Sequence, residues 1–333
     1  MKLTKKWNEY LLDYALYVIL GVMILGVVIQ EPSFLSMNNM WKILAQASTR
    51  GILALGLAGM IVLEGTDLSA GRILGCGAAI SASLMQSVTY QARMYPGITE
   101  QLPLWLPLVL SIVVCVIFCL INGFGVAKLH MHAFIITLGT QLIAYGALCM
   151  YIDSQAGGAQ PLASLNSDYI SLVNGYWLGV PHLVWFLILC SIVMWVVWNK
   201  TTLGKNMFAI GGNKEAAAVS GVNVAKNIML IYLVAGVLYG IAAYLEAGRI
   251  QSVTTATGTN YELDAISGCV IGGVSFSGGV GTVPGILLGV IILQVINYSL
   301  YYLGINAYLQ YIIKGLIIVL AVAIDVRKYI AKK

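Results

Sequence analysis

Apolar residues run in long blocks along this chain, and polar residues are confined to short stretches between them. The blocks cover 14–29, 43–63, 73–88, 104–127, 134–152, 183–198, 228–245, 265–274, 283–303 and 308–324. A helix needs about 20 such residues to cross the hydrocarbon core of a bilayer, and fewer where protein surrounds it. About ten transmembrane helices are therefore expected, in a single all-α, polytopic membrane domain over 1–333. The first block follows lysines but is not closed by a small-residue cleavage site, so it reads as a retained span.

Two stretches break this rhythm. Segments 64–72 (EGTDLSAGR) and 272–282 (GGVSFSGGVGT) are too short or too polar for ordinary spans. Irregular backbone at membrane depth persists only where it is buried in protein or lines a water-filled path. Broken or re-entrant spans in both halves of a transporter point to the substrate route. The plainer alternative makes both segments tight cytoplasmic turns. Glycines four apart (Gly71 and Gly75, Gly236 and Gly240, Gly268 and Gly272, and the run Gly281, Gly285, Gly289) place small residues on one helix face and predict close helix contacts. Pro284 suits the first turn of a helix that restarts.

The largest polar interruption, 199–227, carries Lys200, Lys205, Lys214 and Lys226, with Glu215 as its only acid. By the positive-inside rule it is cytoplasmic. Asn213 can cap a short helix there, Glu215 suits its positive end, Ala216, Ala217 and Ala218 favour it, and Gly221 can end it. With Gly211 and Gly212 as a flexible entry, this helix could be a handle for another protein; the alternative is a solvated connector. The basic termini (Lys2, Lys5, Lys6, Arg327, Lys328, Lys332, Lys333), together with Arg72 and Lys128, fall on the same inner side. Lys42, Arg93 and Arg249 fall outside, and Arg50 and Lys314 lie within spans.

Composition narrows the chemistry. A chain of 333 residues that is 59% hydrophobic and 9% charged would leave too much apolar surface uncovered as a water-soluble globule. The net charge of +5 sits at loop edges and termini, which does not suggest a nucleic-acid partner. The six cysteines fall almost entirely in apolar blocks and read as small buried hydrophobes. Cys115 and Cys119 have no histidine or carboxylate beside them, His130 and His132 share a loop with Lys128, and His182 stands alone beside Pro181, so no metal set forms. Segment 272–282 lacks the lysine of a nucleotide loop, and its serines lack the flanking glycines of a nucleophile elbow. No cofactor and no enzymatic activity are expected.

Ionisable groups in spans are costly unless paired or wet. Arg50, Glu64, Asp67, Arg72 and Lys314 qualify. A local ion pair between Asp67 and Arg72 is expected to hold the first break. Glu64 is the one acid that could serve a proton relay in an ion-coupled carrier.

The segments 64–72, 120–123 (LING), 134–140 (FIITLGT), 204–223 (GKNMFAIGGNKEAAAVSGVN) and 261–265 (YELDA), with 272–281, together resemble the membrane permeases of ribose-type ABC sugar importers, and within them the galactose/methyl-galactoside branch. The resemblance covers most of the chain. It implies a multi-pass inner-membrane protein that acts as a homodimer, with a cytoplasmic ABC ATPase, an extracytoplasmic sugar-binding protein and a monosaccharide as substrate. It aligns the family's coupling segment with Gly211 to Gly221, so that Gly204, Lys205, Gly211, Gly212, Asn213, Glu215, Ala216, Ala217, Ser220 and Gly221 would form the ATPase contact. Glu64, Asp67, Ser69, Arg72, Asn122, Thr137, Thr140, Ser275, Gly278 and Gly279 would line the translocation path or support its wall. Relatives often have proline just before the Phe-Ile segment, where this chain has Ala133 after His132, so no proline sets a kink there.

Overall fold

Each apolar block within the described residues becomes a helix. The computed structural model describes residue 21 and residues 24–330; the block 14–29 lies largely outside them, as do Lys2, Lys5, Lys6, Lys332 and Lys333. A short 3-10 turn over Pro32–Leu35 leads into α1 (Met37–Val62), and then come α2 (Ala70–Leu84), α3 (Trp105–Ala127) and α4 (Ala133–Asp153). After α5 (Ser167–Asn174) a small hairpin, β1 (Tyr176–Trp177) and β2 (Val180–Pro181), pairs Tyr176 with Pro181. The remainder is α6 (His182–Lys200), α7 (Thr202–Gly212), α8 (Lys214–Val219), α9 (Val224–Ile250), α10 (Tyr261–Ile271), α11 (Val283–Tyr302) and α12 (Ala307–Ile330).

Among the described residues six helices are long and apolar enough to cross a membrane: α1, α3, α4, α6, α9 and α11. Helices α2 and α10, with 15 and 11 residues, are shorter than a full span. Helix α1 is the central post, with 89% of its most apolar window buried, and it touches α6, α9, α10 and α11. Helices α3, α4 and α6 instead expose apolar side chains such as Ile117, Ile121, Leu142, Ile143, Leu189 and Ile192, as helices facing lipid would.

The glycine spacing performs as the sequence suggests. A Cβ on Gly272 would overlap the carbonyl oxygen of Gly285, one on Gly285 would overlap that of Gly272, and one on Gly289 would overlap that of Gly268. The paired small residues thus let α10 and α11 touch backbone to backbone. Gly236 and Gly240 do the same for α9 against Val116 and Ile112 of α3. Thr282 caps α11 by accepting from Gly285 N at 3.2 Å, and Pro284 lies in its first turn.

Contacts define two ends of the bundle. One gathers Val62, Ala133, Gly211 and Gly279. The other gathers Met85, Leu162, Leu165 and Val253, where Gln86 bridges to Leu165 and Leu162 to Val253. There Arg93 holds the coil after α2, donating to the carbonyls of Val88, Tyr90, Pro96 and Ile98 at 2.6, 3.1, 3.0 and 3.4 Å. The interruption 199–227 differs from expectation: it folds as two helices, and Gly211 and Gly212 close α7 instead of forming a flexible entry. The cause is local. Gly211 is buried against backbone, so it is fixed by packing instead of freed by its missing side chain.

Candidate functional site

Three segments far apart in sequence meet at the first end. Gly279 N donates to Val62 O at 2.9 Å. Gly211 lies between them, since a Cβ there would overlap Val62 O and stand 2.7 Å from Gly279 N. Gly278 lies against Gly211 O and Glu64 Cγ. Gly278 and Gly279 have φ of +77° and +68°, a left-handed turn that side chains disfavour. Ser275 shapes this turn: its N donates to Val280 O at 3.1 Å, its carbonyl accepts from Gly278 N at 3.1 Å, and its hydroxyl accepts from Ser277 N at 3.2 Å. Glu64 is exposed, with φ of +61°. Helix α7 therefore presses its last turn directly on both broken segments.

Beyond this joint α8 packs on α7 and α9 through Ala217 and leaves the rest of its surface exposed. Asn213 caps it, accepting from Ala216 N at 2.8 Å, and Gly221 follows with φ of +85°. Lys205, Gly212, Asn213, Lys214, Glu215, Ala216, Ala218, Ser220 and Gly221 are exposed, and Val219 is 92% exposed, whereas Ala217 is buried. Gly204, also buried, lets α7 pack on Trp198 O. Ala217 and Gly204 thus shape the chain's own fold and do not present themselves to a partner. Asn206 Nδ2 donates to Asn227 Oδ1 at 3.2 Å and ties α7 to the start of α9.

Five of the residues expected near a path form one buried network. Asp67 Oδ1 accepts from Ser69 N at 2.8 Å and from Ser69 Oγ at 2.5 Å, and Oδ2 accepts from Tyr239 OH at 3.2 Å. Asn122 Nδ2 donates to Ser69 Oγ at 2.9 Å, and Thr140 Oγ1 donates to Asn122 Oδ1 at 2.6 Å. Thr137 Oγ1 accepts from Leu68 N at 3.2 Å. All five are buried, so the network pins the irregular segment 64–69 to α3, α4 and α9 and satisfies polar groups that lipid could not.

The expected ion pair between Asp67 and Arg72 does not form. Arg72 Nη1 donates to Thr255 O at 3.0 Å, and its guanidinium lies 4.2 Å from the centre of the Tyr145 ring. The reason is direction: Asp67 turns into its hydroxyl and amide partners, while Arg72 lies past the start of α2 and meets the loop 251–260. That loop was not singled out in the sequence. It packs on α2 so closely that a Cβ on Gly71 would overlap Gly258 O and Glu262 Oε2, and one on Gly75 would stand 2.6 Å from Thr257 O. From this meeting point α2 leads to the second end and α10 to the first, so two half-helices begin side by side and run apart.

Behind α10 lies a charge cluster. Glu246, fully buried, accepts from Arg249 Nε and Nη2 at 2.8 Å each, Arg50 Nη1 at 3.3 Å, Thr49 Oγ1 at 2.8 Å and Tyr261 OH at 2.7 Å. Arg50 Nε is 3.7 Å from Asp264 Oδ2, and Lys314 Nζ is 3.2 Å from Asp264 Oδ1. Both cations expected within spans are therefore paired. Their carboxylates were not anticipated, although a buried arginine demands one. Among the described residues no group of three or more His, Cys, Asp or Glu could hold a metal ion.

Comparison with known proteins adds the family. Residues 39–322 match the family model described as branched-chain amino acid transport system / permease component. The chain is 47% identical to the galactose/methyl galactoside import permease protein MglC of Escherichia coli, over 99% of this chain and 98% of that protein. It is 36% identical to the ribose import permease protein RbsC of Bacillus subtilis, over 93% of this chain and 92% of that protein, and 33% identical to the L-arabinose transport system permease protein AraH of Escherichia coli, over 98% and 93%. No solved structure matches the chain.

Proposed function

Because the chain belongs to the family of branched-chain amino acid transport system permease components, we propose that it is the membrane-spanning subunit of an ATP-binding-cassette importer that carries galactose or methyl galactoside into the cell. The observation that carries this is end-to-end similarity to sugar-import permeases, at 46–47% identity to three named for galactose. The chain is a multi-pass inner-membrane transport subunit and not an enzyme. A separate ATPase supplies the energy, and a sugar-binding protein delivers the solute. The test is uptake of labelled galactose into vesicles holding the chain with its ATPase and binding protein. Uptake is expected only with ATP; uptake driven by a proton gradient without ATP would make the chain a secondary carrier.

Within that reading, two copies form the translocation unit, with about ten crossings each when α2, α10, α12 and the apolar block 14–29 are counted with the six long helices. Both termini and 199–227 face the cytoplasm, as the lysines of that interruption favour. A cysteine at Lys214 should resist an impermeant thiol reagent added to intact cells, while one at Leu178, 78% exposed at the opposite end, should react. The reverse pattern would invert the topology.

The exposed side of α8 receives the ATPase, and α7 carries its movement to the joint of Val62, Gly211 and Gly279. A valine exposed as fully as Val219 at the end of a capped helix suits insertion into a partner's cleft. Glu215→Lys and Val219→Asp should insert normally, capture the ATPase poorly in detergent and lose ATP-dependent uptake. Wild-type capture by both variants would leave the segment as a connector.

A further inference from the structure

The point where α2 and α10 begin side by side holds a carboxylate oxygen with no hydrogen-bond partner. Glu262 is buried in the first turn of α10, and its Oε2 has no hydrogen-bond partner. That oxygen is aimed at Gly71, in the first turn of α2, where a Cβ would overlap it. The neighbouring bases are committed elsewhere: Arg72 to Thr255 O, Arg50 and Arg249 to Glu246, and Lys314 to Asp264. The start of α2 is also short of partners. The first turn of a helix leaves its amide N–H groups without intrahelical acceptors, and Ser69, the capping residue, makes no side-chain cap bond.

An unpaired carboxylate oxygen beside unpaired amide donors, inside apolar surroundings, is costly unless a ligand completes both. We propose that Glu262 Oε2 and the amides at the start of α2 form a contact for a hydroxyl group of the transported sugar, taken up when the two half-helix ends part. A hydroxyl fits both halves, because it donates to the carboxylate and accepts from an amide. A cation fits less well. Arg50, Arg72, Arg249 and Lys314 equal Asp67, Glu246, Glu262 and Asp264 in number although Glu262 and Asp67 make no ion pair, so a cation would add net charge where a neutral hydroxyl adds none. Oε2 is covered in the present conformation, which makes this a contact of the moving solute and not a resting site.

The inference rests on the sugar-importer reading and deepens it. Its test is uptake of galactose and of the 2-, 3-, 4- and 6-monodeoxygalactoses by full-length protein in vesicles with ATPase and saturated binding protein, comparing wild type with Glu262→Gln, which keeps the size of the side chain. Glu262→Gln should lower galactose uptake about tenfold or more, as expected when a buried group loses its hydroxyl partner. One deoxy sugar should be carried slowly by wild type and no more slowly by the variant, because the same contact is missing in both. An equal fall for all five sugars, or no fall for galactose, overturns the proposal. If Glu262→Gln fails to fold, Glu262→Asp decides: it should keep the wild-type ranking of the sugars, and a lost ranking overturns the proposal. Failure of wild type to accumulate galactose would instead remove the importer reading.

Discussion

A Gly279→Leu variant is expected to reach the membrane at the wild-type level and to carry almost no sugar. Two effects combine at this position. Its φ of +68° belongs to the left-handed region, where a non-glycine residue costs about 1–3 kcal/mol. A Cβ would also stand only 3.0 Å from both Gly212 N and Gly212 Cα. Relief requires Gly279 to move, which breaks its hydrogen bond to Val62 O and separates the two broken segments at the point where α7 presses on them. If the joint passes movement, a change of that size lowers uptake about tenfold or more. Its neighbours give a sharper comparison. Gly211→Ala should have the same effect, because its Cβ would overlap Val62 O, whereas Gly212→Ala should transport normally, because nothing lies within reach of its Cβ. The measurements are membrane abundance and ATP-dependent uptake for the three variants. Normal uptake by Gly279→Leu and Gly211→Ala would reduce the joint to a plain turn.

The second large effect is on stability. Glu246→Leu is expected to lower the thermal midpoint of the purified protein steeply, or to prevent its accumulation. The glutamate pairs with Arg249 and Arg50 and also accepts from Thr49 and Tyr261. Removing one partner of a buried ion pair leaves an uncompensated charge and costs about 3–5 kcal/mol. The loss comes from stranded arginines and not from a cavity, so the triple variant Glu246→Leu, Arg50→Met, Arg249→Met should recover much of it. Tryptophan fluorescence on heating in detergent would measure both. A single variant as stable as wild type would show that water reaches the arginines and screens them.

The long apolar blocks made the helices legible, since only a buried or lipid-facing helix tolerates so many apolar residues in succession. The glycine pairs were legible for a similar reason: spacing of four residues fixes a shared face whatever the helix packs against. The polar network was half legible. Asp67 stood out as an ionisable group beside an apolar block, and Ser69, Asn122, Thr137 and Thr140 were marked only by the family resemblance, but Tyr239, which completes it, is one of 19 tyrosines and carries no local signal. Glu246 and Glu262 lie just outside apolar blocks, where an acid looks like a solvated helix end, and only the fold turns them inward. Gly211 and Gly212 look identical in sequence and differ only because backbone from two distant segments lies against the first.

That last difference bears on how the chain can change over generations. Most damaging substitutions in a protein interior can be answered elsewhere, when a neighbouring side chain shrinks to make room. Around Gly211 the crowding atoms are the carbonyl oxygen of Val62 and the amide nitrogen of Gly279, and neither can be trimmed by any mutation, since every residue type carries them except for proline's missing amide hydrogen. A line of descent that loses this glycine has no compensating mutation of that kind at either neighbour, so its simplest return is the glycine itself.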